Sequence, residues 1–163
     1  MADAELLAGS AELAYELLAE GHAALAESSE TGDLATVASV RALAALELGR
    51  GDEALELADE TEPIAAPDDL DPHARSRLVR ARALARRGEL EAADELIREA
   101  AKIVQPTDYV IWHLDLAFAR ADVERLAGRR DGERQALEYA LEVAEAKGNL
   151  VAAERARGRL AEL

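Results

Sequence analysis

The chain has no cysteine, one Phe, one Trp, three Tyr and four prolines in 163 residues. Without cysteine there is no disulfide, no thiolate nucleophile and no Cys-based zinc or iron–sulfur site. This fits a reducing compartment such as the cytoplasm. With aromatics at 3%, the core must be built from Ala, Leu and Val. That composition suits helices packed closely on helices. The prolines, at 63, 67, 72 and 106, read as lying outside the helical patterns. No apolar run approaches the ~18 residues of a membrane span. Asp3 and Glu5 occupy the place of a basic leader segment, so no signal peptide is expected. The sequence contains no G-x-x-x-x-G-K-[ST], no G-x-G-x-x-G and no G-x-S-x-G. His22, His73 and His113 lie far apart, and the spacing of His113 and Asp115 does not put two ligands on one helical face. The expectation is therefore a chain without metal, cofactor or catalytic residue.

What is present is helix-forming and acidic. Half the residues are apolar, and Leu, Ala, Glu and Arg dominate. The formal net charge is −15, unevenly spread. Residues 1–72 hold 18 Asp/Glu against only Arg41 and Arg50, whereas residues 73–163 hold 17 Lys/Arg against 16 Asp/Glu. The acidic half should repel nucleic acid and anionic lipid, and it invites a basic partner or simply solubilises the chain.

A repeat organises the sequence. Leu84-Ala-Arg-Arg-Gly-Glu-Leu-Glu-Ala-Ala-Asp-Glu-Leu96 reads as a helix end, a glycine turn and a second helix folding back. Leu46–Leu55 and Arg125–Arg134 are copies, and their turn glycines Gly49, Gly88 and Gly128 fall 39 and 40 residues apart. Glycine suits a helix C-terminus that needs positive φ. The acidic residues Asp52, Glu53, Glu89 and Asp131 that follow favour the positive end of the next helix. Small residues recur on that helix: Ala54 and Ala93 five residues after the glycine, a series that Glu133 breaks, and Ala100 and Ala140 twelve after. A lone hairpin cannot bury both faces, so such units stack.

In order, a first helix is expected over about Asp3–Ser28, with an apolar stripe of Leu6, Leu7, Leu13, Leu17, Leu18 and Leu25 that Gly9 and Gly21 weaken. A chain that opens in a helix so soon after its Met reads as a fragment. Ser28–Gly32 breaks it. Helices then follow over Asp33–Leu48, Asp52–Glu60, Pro72–Arg87, Glu89–Val104, from a Thr107 or Asp108 cap to Ala127, Arg130–Lys147 and Leu150–Leu163. Gly148-Asn-Leu-Val echoes Gly32-Asp-Leu-Ala as an inter-unit turn. Residues 62–72 form the longest connector and a seam within a single domain spanning residues 1–163.

The spacing resembles the tetratricopeptide repeat, with units longer than 34 residues. Ala65-Ala-Pro-Asp-Asp-Leu70, Arg80–Gly88, Thr107-Asp108, His113, Asp115, Arg125-Leu-Ala-Gly-Arg129 and Lys147–Ala153 further resemble the C-terminal repeat region of large bacterial regulators of the cyclase-like and signalling-ATPase-like kinds. The likeness covers about residues 60–163, and the first 60 only as a generic repeat. It implies an all-α, right-handed α-α superhelix of about eight antiparallel helices, and it carries over no catalytic residue.

Arg41, Arg80 and Arg120 each stand eight residues before their turn glycine. On the first helices of stacked units they would line a groove and suit a carboxylate, acidic peptide or phosphate, or else each ties helices through a local acid. Tyr109 and Trp112 open the third such helix and offer an aromatic anchor, or pack on the neighbouring unit. Arg75, Arg77, Arg80, Arg82, Arg86 and Arg87 crowd one helix, with 75, 82 and 86 on one face. Lacking interleaved aromatics, they point to docking on the acidic half or to solvent rather than to nucleic acid. The expectation is a non-catalytic signalling module that binds a protein or peptide partner through Arg41, Arg80, Arg120, Tyr109 and Trp112. The alternatives are a self-associating or engineered repeat scaffold and a small-molecule-sensing helical domain.

Overall fold

Four glycines set the topology. Gly49, Gly88, Gly128 and Gly148 have φ of 77, 83, 71 and 71°. Each closes a helix with the same pair of backbone bonds. At Gly88, Gly88 N–H donates to Ala85 O and Glu89 N–H to Leu84 O, and the other three glycines repeat the arrangement. This double bond satisfies carbonyls that a helix end otherwise leaves bare. An added Cβ at Gly88 would meet nothing within 4 Å, so only backbone conformation selects glycine there. Gly88→Ala is expected to cost about 1–2 kcal/mol through left-handed strain alone, as measured by urea denaturation.

The computed structural model describes residues 10–27 and 31–163. These residues form eight helices: α1 Ala11–Ala26, α2 Thr31–Glu47, α3 Gly51–Ile64, α4 Leu70–Arg86, α5 Leu90–Val104, α6 Val110–Leu126, α7 Arg130–Ala146 and α8 Leu150–Ala161. No strand occurs among the described residues. The three hairpins announced by the repeat are α2/α3, α4/α5 and α6/α7. The first helices of the hairpins pack in succession, α2 on α4 and α4 on α6. The second helices pack on the first helix of the next unit, α3 on α4, α5 on α6 and α7 on α8, and α1 lies on α2.

Alanine fills most of the contact surfaces, and the largest side chains with no exposure to speak of are few, led by Leu46, Leu114 and Leu137. Ala81, Ala93, Ala100 and Ala119 bring α4, α5 and α6 together, while Ala121, Ala136, Ala140 and Ala153 do the same for α6, α7 and α8. Among the described residues no helix is long and apolar enough to cross a membrane.

Several expectations change. Asp3, Glu5, Leu6, Leu7, Gly9 and the break at 28–30 lie outside the described residues. Gly21 sits within a continuous α1, whose packed face carries Ala14 and Tyr15 with the half-buried Leu18 and Leu25 of the expected stripe, while Leu13 and Leu17 lie off it at 47% and 41% exposed. Gly32 belongs to α2 rather than to a turn. Pro63 lies inside the last turn of α3, where Thr61 stays buried with its hydroxyl donating to Leu57 O. Neither Thr107 nor Asp108 caps α6. Its N-cap is Tyr109, and the Thr107 hydroxyl donates back to Val104 O at 2.8 Å, closing α5 instead. Asn149 does cap α8, accepting from Ala152 N–H at 3.0 Å.

Candidate functional site

The charge imbalance between the two halves is spent on internal docking. Arg77 and Arg80 of α4 both reach Glu62, each at 3.0 Å. Arg87 pairs with Asp52, and Arg86 donates to the carbonyl of Leu46 at 2.6 Å. Arg82 donates to Glu47 at 2.7 Å. The six-arginine helix therefore clamps onto the acidic first half, as one of the two sequence readings had it.

Arg82 also starts a longer network. Its Nε donates to Asp122 Oδ2 at 2.8 Å, and Asp122 Oδ1 accepts from Arg159 at 2.7 Å. Arg159 in turn donates to Glu133 at 2.9 Å. One chain of ion pairs thus joins α2, α4, α6, α8 and α7. Burial would lower the Arg82 pKa, but the carboxylates of Asp122 and Glu47 outweigh it and leave the value raised. Burial would raise Asp122, but Arg82, Arg159 and Arg155 outweigh it and hold the carboxyl below its ordinary value. Burial and the neighbouring Arg82 lower Arg86. Glu133, which broke the small-residue series, is buried because it anchors α8 through Arg159. Asp122 and Arg82 share the position six before their turn glycine, so their pairing had a sequence signal: opposite charges at one repeat position in adjacent units.

Beside this network lies a cavity of about 60 Å³ between the first helices, lined by Leu43, Glu47, Arg75, Ile111 and Phe118, with Arg155 stacked 4.5 Å over the Phe118 ring. It has room for a few waters.

The arginines singled out from the sequence point elsewhere. Arg41, Arg80 and Arg120 do not form one ladder on the face of the first helices. Arg41 and Arg80 turn toward α3, and Arg120 toward the space between α5 and α7. Arg41 donates to the Tyr15 hydroxyl of α1 at 2.7 Å and lies 3.8 Å from Glu53 of α3. Arg80 pairs with Asp59 at 3.4 Å and Glu62 at 3.0 Å, both on α3. Arg120 has one ion-pair partner among the described residues, Glu124 on its own helix at 3.8 Å, and its side chain is 51% exposed. It opens onto a cleft of about 530 Å³ between α5 and α7. Ile97, Val123 and Ala136 form an apolar floor, and Gln105, Gln135 and Tyr139 stand at the rim.

Tyr109 and Trp112 stack on each other with centroids 4.6 Å apart, and Trp112 packs on the α4–α5–α6 core. Neither lines the small cavity or the cleft, so the structure does not bring them into one site with the arginines. His113 instead bridges the Thr107 carbonyl and the Tyr139 hydroxyl, each at 2.8 Å. Among the described residues no group of three His, Asp or Glu is placed to hold a metal. No protein-family model matches the chain, and neither does any curated protein.

Proposed function

We propose that the chain is a non-catalytic protein-interaction module, a tetratricopeptide-like stack whose groove holds a protein or peptide partner. The repeated glycine closures, the succession of first helices and the flanking second helices are what such a stack requires. In this reading the hairpins wind as a right-handed superhelix within a cytoplasmic bacterial signalling regulator, as the sequence resemblance implies.

The observation that carries the proposal is the difference among the three repeat arginines. Arg41 and Arg80 pair with acids of α3, whereas Arg120 pairs among the described residues with Glu124 of its own helix and faces an open cleft that the Arg129–Asp94 pair crosses at one end. A closed trough holds units together. An open one, apolar at its floor and polar at its rim, has the anatomy of an interface core. The cavity beside Phe118, at about 60 Å³, is smaller than the ~300–1,000 Å³ of small-molecule pockets, while the cleft at Arg120, at about 530 Å³, lies within that range, so the exposed arginine at its mouth rather than its volume favours a peptide.

The experiment is selection from a random peptide display library on the immobilised protein. Enrichment of a shared sequence pattern, with selected peptides competing for one site, supports the module. No enrichment over an unrelated helical protein overturns it. Self-association has one specific observation in its favour, since Leu150 and Val151 in the first turn of α8 are 79% and 51% exposed. Light scattering across concentration tests it.

A further inference from the structure

Why the third trough is open follows from two substitutions within the repeat. The carboxylates that receive Arg80 are Asp59 and Glu62, which stand ten and thirteen residues after Gly49. The residues ten and thirteen after Gly88 are Arg98 and Ala101. Both line the cleft in front of Arg120. The third unit thus keeps the arginine, and the second unit lacks the two acids that would satisfy it. One of those acids has become a cation. The other has become a methyl group, which leaves space where a glutamate side chain would lie.

The remaining acids near the cleft are already engaged. Asp94 accepts from Arg129 at 2.6 Å. Glu124 accepts from the Arg129 Nε and is shared with Arg120. Glu124 lies close over Gly132, where an added Cβ would collide with its carboxylate. Arg98 pairs with Glu95 at the outer edge of α5. The cleft therefore presents Arg120 over an apolar floor, flanked by Arg98, which Glu95 holds, and by Arg129, which Asp94 and Glu124 hold, in a chain whose overall charge is −15.

Resting on the interaction-module reading, we infer that the α5–α7 cleft is a docking site for an acidic peptide segment, one of whose carboxylates is received by Arg120. The occupant restores the acids that the repeat has lost. A template for it lies in the same chain: the segment around Asp59 and Glu62 already satisfies the equivalent arginine. Two carboxylates three residues apart on a short helical segment reach Arg120 and compete with Glu95 for Arg98, and the apolar residues that flank them, Leu57, Ala58 and Ile64 in the template, cover Ile97 and Ala101. Arginine suits this task because its planar fork receives a carboxylate through two parallel bonds.

The test is fluorescence anisotropy of a labelled peptide copying residues 55–66, titrated with the full chain. A control peptide carries Asn at Asp59 and Gln at Glu60 and Glu62. The acidic peptide is expected to bind at least about tenfold more tightly than the control. Arg120→Glu is expected to remove that preference while leaving the melting curve unchanged, since Arg120 is half exposed and has one long pair on its own helix. Glu124→Gln removes the internal competitor and is expected to tighten binding.

Equal binding of the two peptides, or full affinity in Arg120→Glu, overturns the inference. So does a concentration-dependent dimer that Arg120→Glu dissolves, which makes a second copy of the chain the occupant. The display selection separates the two levels. Peptides that are selected and ignore Arg120→Glu leave the interaction module standing and remove the acidic site, whereas the absence of any selected peptide removes both.

Discussion

Asp122→Ala is expected to lower folding stability by about 3–5 kcal/mol, the cost of removing one partner from a buried ion pair. Asp122 receives Arg82 and Arg159, and its side chain is 12% exposed. Its loss strands Arg82, whose side chain is 8% exposed, with Glu47 alone, and it cuts the link from α4 to α8. Asp122→Asn keeps the shape and loses the charge. The Asp122 carboxyl is held below its ordinary value in the folded chain. A depressed folded-state value means that the stabilisation is complete above the unfolded value, about 3.9, and disappears as pH falls through the lower folded one. The stability gap between the parent protein and Asp122→Asn is therefore widest at neutral pH and narrows below about pH 4. Urea denaturation of both proteins from neutral pH down to about pH 3 checks this. A gap that stays constant would show that the charge of Asp122 is not what stabilises the fold.

Leu137→Ala carries the second large effect, about 3–5 kcal/mol. Leu137 is fully buried in the cluster that joins α6, α7 and α8. Its neighbours there include Ala117, Ala121, Ala136, Ala140 and Ala153. Alanine has no rotamer to swing into a void, and helices already in close approach have little room to settle further. The cavity left by the leucine therefore stays open, which puts the cost toward the upper end of the range for such truncations. Leu150→Ala, at a residue 79% exposed, is expected to change stability by no more than about 0.5 kcal/mol. Similar losses at the two leucines would contradict the packing account.

The hairpins were legible because one residue type at one spacing dictates them. Gly49, Gly88 and Gly128 are needed where φ is positive, and no other signal competes at those points. The helices between them follow from composition and periodicity. Boundaries were less legible where local and tertiary terms disagree. Pro63 looks like a helix breaker, but it falls in the last turn of α3, where the carbonyl it leaves without a donor belongs to the exposed Asp59, and the buried Thr61 and the Glu62 ion pairs keep the turn wound. On α1 the leucine spacing marks too wide a face: Leu18 and Leu25 are half-buried and Leu13 and Leu17 are exposed, because which residues become buried depends on the neighbour.

The arginine register was visible and its direction was not. Eight residues before a turn glycine places a side chain on a helix, but only the packing of the preceding hairpin shows that Arg80 turns toward α3 and Arg120 toward α5. The same comparison by offset, applied to acids as well as arginines, exposes both the Arg82–Asp122 pair and the loss of the acids facing Arg120. Trp112 was ambiguous in sequence because an anchor and a core aromatic use the same residue, and its contact with the α4–α5–α6 cluster is a tertiary fact.

The open trough at Arg120 is the centre of this account, and amide chemical-shift mapping addresses it most directly. The isotopically labelled chain is titrated with the peptide copying residues 55–66. The expected shifts are confined to α5, α6 and α7 around Ile97, Ala101, Arg120 and Ala136, with the surface around Leu43 and Arg155 unmoved. Shifts centred on Leu43 and Arg155, or on α3 around Arg80, would place the peptide elsewhere and rule out the Arg120 cleft.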